Sequence, residues 1–254
     1  MQLGLTAAPV VITGAASGIG AACARAFGAE GATLGLIDHN AHALAALADE
    51  LAERSVPVEI SVADVTDEAQ MKVALEGLSD RLGGIRVAVA CAGISGPFGV
   101  DVDKISITDW ERVLAVNVTG QFLLVKHALP ALRRSTDASV VLIASDSGFA
   151  AAPGMVPYNA SKGAVVQLTR ALSVDLAVDG VRVNCVCPSI VDTPMARADL
   201  GVEEGEFGGM GYPVQTAAEV ANHVLYLSSP ISRPVNGTAL ISDFGYLARS
   251  SFPA

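Results

Sequence analysis

Apolar runs of four to six residues alternate along this chain with longer segments whose apolar positions recur every three or four residues. The short runs read as strands buried on both faces, the longer segments as helices with one apolar stripe. The runs are Ala8–Thr13, Thr33–Ile37, Val58–Val62, Ile85–Ala90, Val140–Ile143, Val181–Val186 and Thr238–Ile241. Helical patterning covers Ala21–Ala29, ending at Gly31, then His42–Glu53, then a segment opened by Thr66, Asp67 and Glu68. A capping box at Thr108–Glu111 opens another helix, and one at Thr216–Glu219 opens a helix to Leu227. Between them a long helix carries Tyr158, runs through Ala164–Ala177 and ends near Gly180. Strand–helix alternation of this kind predicts an α/β fold, a doubly wound parallel sheet of about seven strands with helices on both faces.

The helix after Thr108 places Trp110, Val113, Leu114, Val118, Phe122 and Val125 on one stripe, and Leu123 and Leu124 widen it. A helix apolar on most sides is buried on most sides, which points to a subunit interface. Asn117 falls inside that stripe, where the pattern alone favours a satisfied core amide over a site residue.

Composition narrows the class. The 254 residues are 51% hydrophobic with a formal net charge of −10 and contain no basic cluster. That argues against nucleic-acid partners and against attachment to an anionic membrane. No linker, repeat or low-complexity tract appears, so residues 1–254 are expected to form a single domain. Cys23, Cys91, Cys185 and Cys187 lie in apolar stretches without a disulfide framework or a second ligand pair for a metal. They read as free thiols in a reducing compartment. The first charge is Arg25, and Gly14, Gly18 and Gly20 interrupt the apolar start, so the expectation is a soluble cytoplasmic protein.

Gly14-Ala-Ala-Ser17-Gly18-Ile19-Gly20 stands between the first strand and the first helix. Strand, glycine turn and helix is the context in which a backbone approaches a pyrophosphate at a helix N-terminus, a Rossmann-type arrangement. The second strand ends at Asp38, where an acid accepts hydrogen bonds from a ribose 2′-hydroxyl and repels a 2′-phosphate. NAD is therefore expected rather than NADP, with His39 the one nearby residue able to offer a cation to a phosphate. Gly93 follows the fourth strand, where a glycine permits close approach of a ligand.

The segment 144–162, ASDSGFAAAPGMVPYNASK, holds the candidate chemistry. Tyr158 and Lys162 are one helical turn apart and share a face. A tyrosine with a free pKa of ~10 needs ~4 kcal/mol to become acidic near neutrality. One cation at ~4 Å in an effective dielectric of ~20 supplies about that much. Ser145, at the end of its strand, is placed to hold a substrate oxygen against the phenol.

With these motifs in view, the chain resembles the short-chain dehydrogenase/reductase family in its compact form over essentially its whole length. The resemblance rests on Thr13-Gly-x-x-x-Gly-x-Gly20, Asp64-Val65, Asn117, Ser145, Tyr158-x-x-x-Lys162, Arg182-Val-Asn-x-Val-x-Pro188 and Thr193-Pro-Met195. It implies that Tyr158 is the acid/base and that Lys162 lowers its pKa and binds nicotinamide-ribose hydroxyls. It further implies that Ser145 holds the reacting oxygen and that Asn117 helps a water relay protons to Lys162. Asp64 and Val65 would flank the adenine, and Pro188, Val191 and Thr193 would line the nicotinamide end. A homotetramer is also implied. Three departures from the family pattern are Ala90-Cys91-Ala92-Gly93 for Asn-Asn-Ala-Gly, Pro188-Ser189 for Pro-Gly, and Asp243-Phe244-Gly245 for Asp-Gly-Gly.

The resulting expectation is an NAD-dependent oxidoreductase acting on a neutral secondary alcohol or its ketone. The alternatives are a non-catalytic NAD-binding regulator and an NADP-linked reductase of acyl-carrier thioesters. The segment 196–212 is expected to be a mobile lid, with five glycines and the acids Asp199, Glu203, Glu204 and Glu206. Asp146, Phe149, Met155 and Met195 are candidate pocket neighbours.

Overall fold

A computed structural model describes residues 2–209 and 211–249. Seven parallel strands form one sheet in the order β3-β2-β1-β4-β5-β6-β9. They are β1 (Pro9–Thr13), β2 (Thr33–Asp38), β3 (Val58–Val62), β4 (Val87–Ala90), β5 (Ser139–Ile143), β6 (Arg182–Pro188) and β9 (Ala239–Ser242). The helices are α1 (Gly18–Ala29), α2 (Ala41–Glu53), α3 (Glu68–Leu82), α4 (Ile107–Leu114), α5 (Gly120–Leu132), α6 (Val156–Asp175), α7 (Pro194–Leu200) and α8 (Ala217–Ser228). Two apolar clusters, one on each face of the sheet, form the core. One holds Val11, Leu75, Leu124 and Val165; the other holds Phe27, Leu34, Val89 and Val224. The strand runs are continuously apolar because both faces of these strands are covered.

The order reverses at β1, with β2 on one side and β4 on the other, so the crevice for a ligand opens above the carboxyl ends of β1 and β4. The glycine turn, Asp38, Gly93, Ser145 and Pro188 all sit at or just beyond such strand ends.

One local expectation needs correction here. The helix expected from the box at Thr108 begins at Ile107, because the Ser106 side chain accepts the Asp109 backbone N–H and caps it two residues earlier. The capping box at Thr216–Glu219 does form. A second, two-stranded sheet was not anticipated: β7 (Val191–Asp192) pairs in parallel with β8 (Gln215–Thr216). Two residues per strand leave no periodicity to read. This pairing brackets the expected lid. Within the segment 196–212, the first residues belong to α7 and Phe207 is buried. Position 210 of that segment lies outside the described residues.

Between α4 and α5, residues Ala115–Thr119 form a π-helical turn, so that Ile107–Leu132 is one continuous rod. Among the described residues it is the one helix long and apolar enough to cross a membrane by length and composition. Its apolar side chains Leu123, Leu124, Val125 and Ala128 belong to the core of this fold.

Candidate active site

The π turn carries Asn117 to the base of the crevice. Its side chain is fully buried, and both of its ends are engaged. Oδ1 accepts the Ile94 N–H at 2.8 Å, while Nδ2 donates to the Ile94 carbonyl at 2.9 Å and to Ser161 Oγ at 3.0 Å. Ser161 Oγ donates in turn to the Tyr158 carbonyl at 2.7 Å. Asn117 is therefore a satisfied buried amide, as the pattern favoured, and it also ties the loop after β4 to the first turns of α6. Gly93 lies inside this junction: a Cβ there would stand 3.3 Å from Asn117 Oδ1 and 3.8 Å from Lys162 Nζ.

Tyr158 and Lys162 meet as their spacing requires. Lys162 Nζ lies 5.4 Å from the centroid of the Tyr158 ring and donates to the Ile143 carbonyl at 2.9 Å. Gln121, one turn after Asn117, donates to the same carbonyl at 3.2 Å. The electrostatics of the free protein differ from the sequence expectation. Burial pushes the Tyr158 phenol up to about 12; the Ser145 hydroxyl pulls it back, and the charges of Asp146 and Asp199 add to the rise. Burial lowers Lys162 to about 8, partly opposed by Cys187, Cys91 and Cys185. The phenol is thus not acidified in the free site. Desolvation is the largest cause, and it is set by depth, which spacing does not reveal.

Ser145 caps the turn after β5. Its Oγ donates to Asp146 Oδ1 at 2.9 Å and accepts the Ser147 N–H at 3.1 Å. Pro188, at the end of β6, offers its carbonyl at 3.4 Å.

At the other end of the crevice Gly14 adopts φ +63°, and a Cβ on it would stand 2.6 Å from the Ala92 backbone. Gly20 packs so closely that a Cβ would meet the Gly14 carbonyl oxygen at 2.0 Å. Gly18 and Ile19 form the first turn of α1, which begins three residues earlier than its apolar pattern indicated. Ser17 is its N-cap residue but makes no side-chain capping bond, and no acid lies in the first turn. The N-terminal amides thus lack the side-chain cap that Asn40 and Asp67 give α2 and α3. Asp38 is 7% exposed; Oδ2 accepts Ala16 N–H at 3.0 Å and Oδ1 accepts Asn40 N–H at 2.9 Å. It anchors the glycine turn to the end of β2. The His39 ring is exposed, 3.3 Å from Asp38 Oδ1.

Farther out, Asp64 accepts from the Thr66 N–H and hydroxyl, and Val65 packs where a Cβ on Gly120 would stand 2.9 Å away. Val191 is buried at the start of β7, and Thr193 caps α7 by accepting Ala196 N–H at 3.3 Å. The Thr193 methyl faces Gly18, where a Cβ would meet it at 3.3 Å. The glycine turn and the start of α7 therefore close on each other. The contact most hidden from sequence reasoning joins the loop after β4 to α7: Ser95 Oγ donates to Asp199 Oδ1 at 2.9 Å. Burial raises the Asp199 carboxyl, which that hydroxyl partly offsets. Arg197 is committed elsewhere, to Asp192 at 2.7 Å and Glu204 at 3.1 Å.

The glycine cradle, the side-chain-free N-terminus of α1 and the anchored acid at the end of β2 fit a nicotinamide dinucleotide. Fold and residues together define an oxidoreductase of the dinucleotide-binding α/β class. Comparison with known proteins narrows this: residues 14–247 match a family profile described as enoyl-(acyl carrier protein) reductase. The chain belongs to the short-chain dehydrogenase/reductase family. It is 36% identical to 2-(R)-hydroxypropyl-CoM dehydrogenase of Xanthobacter autotrophicus, over 94% of this chain and 98% of that one. It is 37% identical to meso-2,3-butanediol dehydrogenase of Serratia marcescens, over 96% of each. Levodione reductase superposes with a TM-score of 0.90 at 30% identity, covering 97% of this chain and 100% of that one.

Proposed function

We propose that this protein is an NAD-dependent dehydrogenase/reductase acting on a neutral secondary alcohol or its ketone, with Tyr158 moving the proton. The observation that carries the reading is the Tyr158–Lys162 pair, with the buried Lys162 Nζ 5.4 Å from the ring centroid and the Ser145 hydroxyl acting on the phenol. The bound nicotinamide accepts or supplies the hydride. Tyr158 holds its proton in the free protein, the state that donates to a ketone oxygen. Lys162 supplies the positive charge beside the phenol, and the Ile143 carbonyl fixes its ammonium. Asn117 and Gly93 fix the loop that borders both.

Asp38 supports NAD, because its buried carboxylate stands where a 2′-phosphate would bring a second anion. The charges of Asp146 and Asp199 reach Tyr158, which supports neutral over carboxylate-bearing substrates and weighs against an acyl-carrier thioester. The relatives named for 2-hydroxypropyl-CoM and for butanediol carry secondary alcohols in their names, which supports a secondary carbinol as the reacting group. The segment 196–212 serves as the lid. The exposed Phe122 on α5 and Val174 near the end of α6 support burial of these helices against further copies in a homotetramer. Four free thiols are consistent with a cytoplasmic location.

The deciding experiment is Tyr158→Phe assayed with NADH across a ketone panel. Turnover is lost while NADH binding persists; retained turnover removes Tyr158 from the chemistry. Tight NADH binding by the wild type with no turnover of any alcohol or ketone identifies a regulator instead.

A further inference from the structure

Ser145 has one proton to give, and its neighbours decide where that proton points. A carboxylate oxygen only accepts and a backbone N–H only donates. With Asp146 Oδ1 at 2.9 Å and Ser147 N at 3.1 Å, the Ser145 hydroxyl donates to the first and accepts from the second. Turning the proton toward the Pro188 carbonyl, 3.4 Å away, would leave two oxygens facing each other at 2.9 Å with no hydrogen between them. One lone pair of Ser145 Oγ remains for whatever enters beside Tyr158. A bond to a carboxylate is roughly twice as strong as one between neutral groups, so an incoming carbonyl does not easily win the proton away.

We propose that Asp146 is a positioning residue that presents Ser145 to the reacting oxygen as an acceptor, so that the site binds the alcohol form in preference to the carbonyl form. An alcohol oxygen accepts from the protonated Tyr158 and gives its own proton to Ser145. A ketone oxygen also accepts from Tyr158 but meets the Ser145 lone pair without a proton to share. Asp146 itself touches neither reactant; it acts through the serine. The proposal rests on the reading of Tyr158 and Ser145 as the substrate site, and its test needs no turnover.

The experiment compares two unreactive probes of similar size on the full-length protein saturated with NADH. One is 1-methylcyclohexanol, a tertiary alcohol with a donor; the other is N-methyl-2-piperidone, a lactam that only accepts. Dissociation constants are measured by ligand-observed NMR for the wild type, Asp146→Ala and Asp146→Asn. The wild type is expected to favour the alcohol. In Asp146→Ala the freed Ser145 proton serves the lactam, and the lactam-to-alcohol ratio of dissociation constants falls by about fivefold or more. Asp146→Asn keeps the shape, weakens the bond to Ser145 and shifts the ratio the same way by less. A general loosening of the turn would weaken both probes together and leave the ratio in place. A ratio within about twofold of wild type in NADH-binding Asp146→Asn and Asp146→Ala proteins overturns the proposal. Retained turnover by Tyr158→Phe instead overturns the catalytic reading, so the two failures are told apart.

Discussion

Asn117 grips both backbone polar groups of Ile94, its Oδ1 on the N–H at 2.8 Å and its Nδ2 on the carbonyl at 2.9 Å. The two residues are far apart in sequence, and the clamp holds the loop that carries Gly93 and Ser95 across the floor of the crevice. Asn117→Asp replaces the donor with an oxygen facing the Ile94 carbonyl and Ser161. The expected cost is about 3 kcal/mol, the scale of an unpaired buried polar group joined to a buried charge. A shift of the urea midpoint with unchanged slope measures it; a loss below about 0.5 kcal/mol would contradict the clamp.

Lys162 is held in the fold at the expense of stability. Its folded value of about 8 lies below the ordinary 10.5, so the unfolded chain binds the proton more tightly. Stability therefore rises as pH climbs from about 8 to about 10.5, and the full penalty is present below 8. Lys162→Met should be inactive yet more stable at pH 7 by about 1–3 kcal/mol. The gap between variant and wild type in thermal melts should narrow above pH 8. A less stable variant at pH 7 would show that the Ile143 hydrogen bond outweighs desolvation.

With Tyr158 moving the proton as proposed, the same two groups are expected to set the pH dependence of turnover. Tyr158, at about 12, is protonated through neutrality, and Lys162 loses its charge above about 8. Ketone reduction should hold steady through neutral pH and decline above about 8 as the lysine charge goes. Alcohol oxidation needs the deprotonated phenol and should rise with pH over the neutral range. Profiles of kcat/KM in both directions check this, and parallel profiles would refute it.

Phe244 stands at φ +53°, a left-handed conformation that costs an L-residue about 1–2 kcal/mol and a glycine little. It replaces a glycine of the family pattern, and the Asp243 carboxylate holds the turn through the Gly245 and Leu247 amides. The side chain is 53% exposed, so little packing offsets the strain. Phe244→Gly should raise stability by about 0.5–1 kcal/mol, read as an increase in melting temperature.

The parts of this molecule legible in its sequence are those fixed by local rules. Strand runs, the turn Gly14–Gly20 and the Tyr158–Lys162 spacing depend on residues within one or two turns of one another, and the structure places them where that logic puts them. The Asn117–Ile94 clamp and the Ser95–Asp199 bond join segments that only the tertiary fold brings together. No periodicity marks them. The start of α4 departs from the Thr108 box because Ser106 and Thr108 are both competent caps, and Ser106 is the one that bonds the Asp109 amide. The Tyr158 and Lys162 acidities escaped for another reason: spacing reports that two groups meet, and burial decides which charge survives the meeting.

The short parallel pairing of Val191–Asp192 with Gln215–Thr216 joins the two roots of the intervening stretch of chain. Fastening the two ends to each other spares the seven-stranded sheet from carrying them alone, while the Ser95–Asp199 bond ties the stretch to the loop after β4. Exchanges in that stretch that keep Asp199 are therefore expected to alter what the crevice admits.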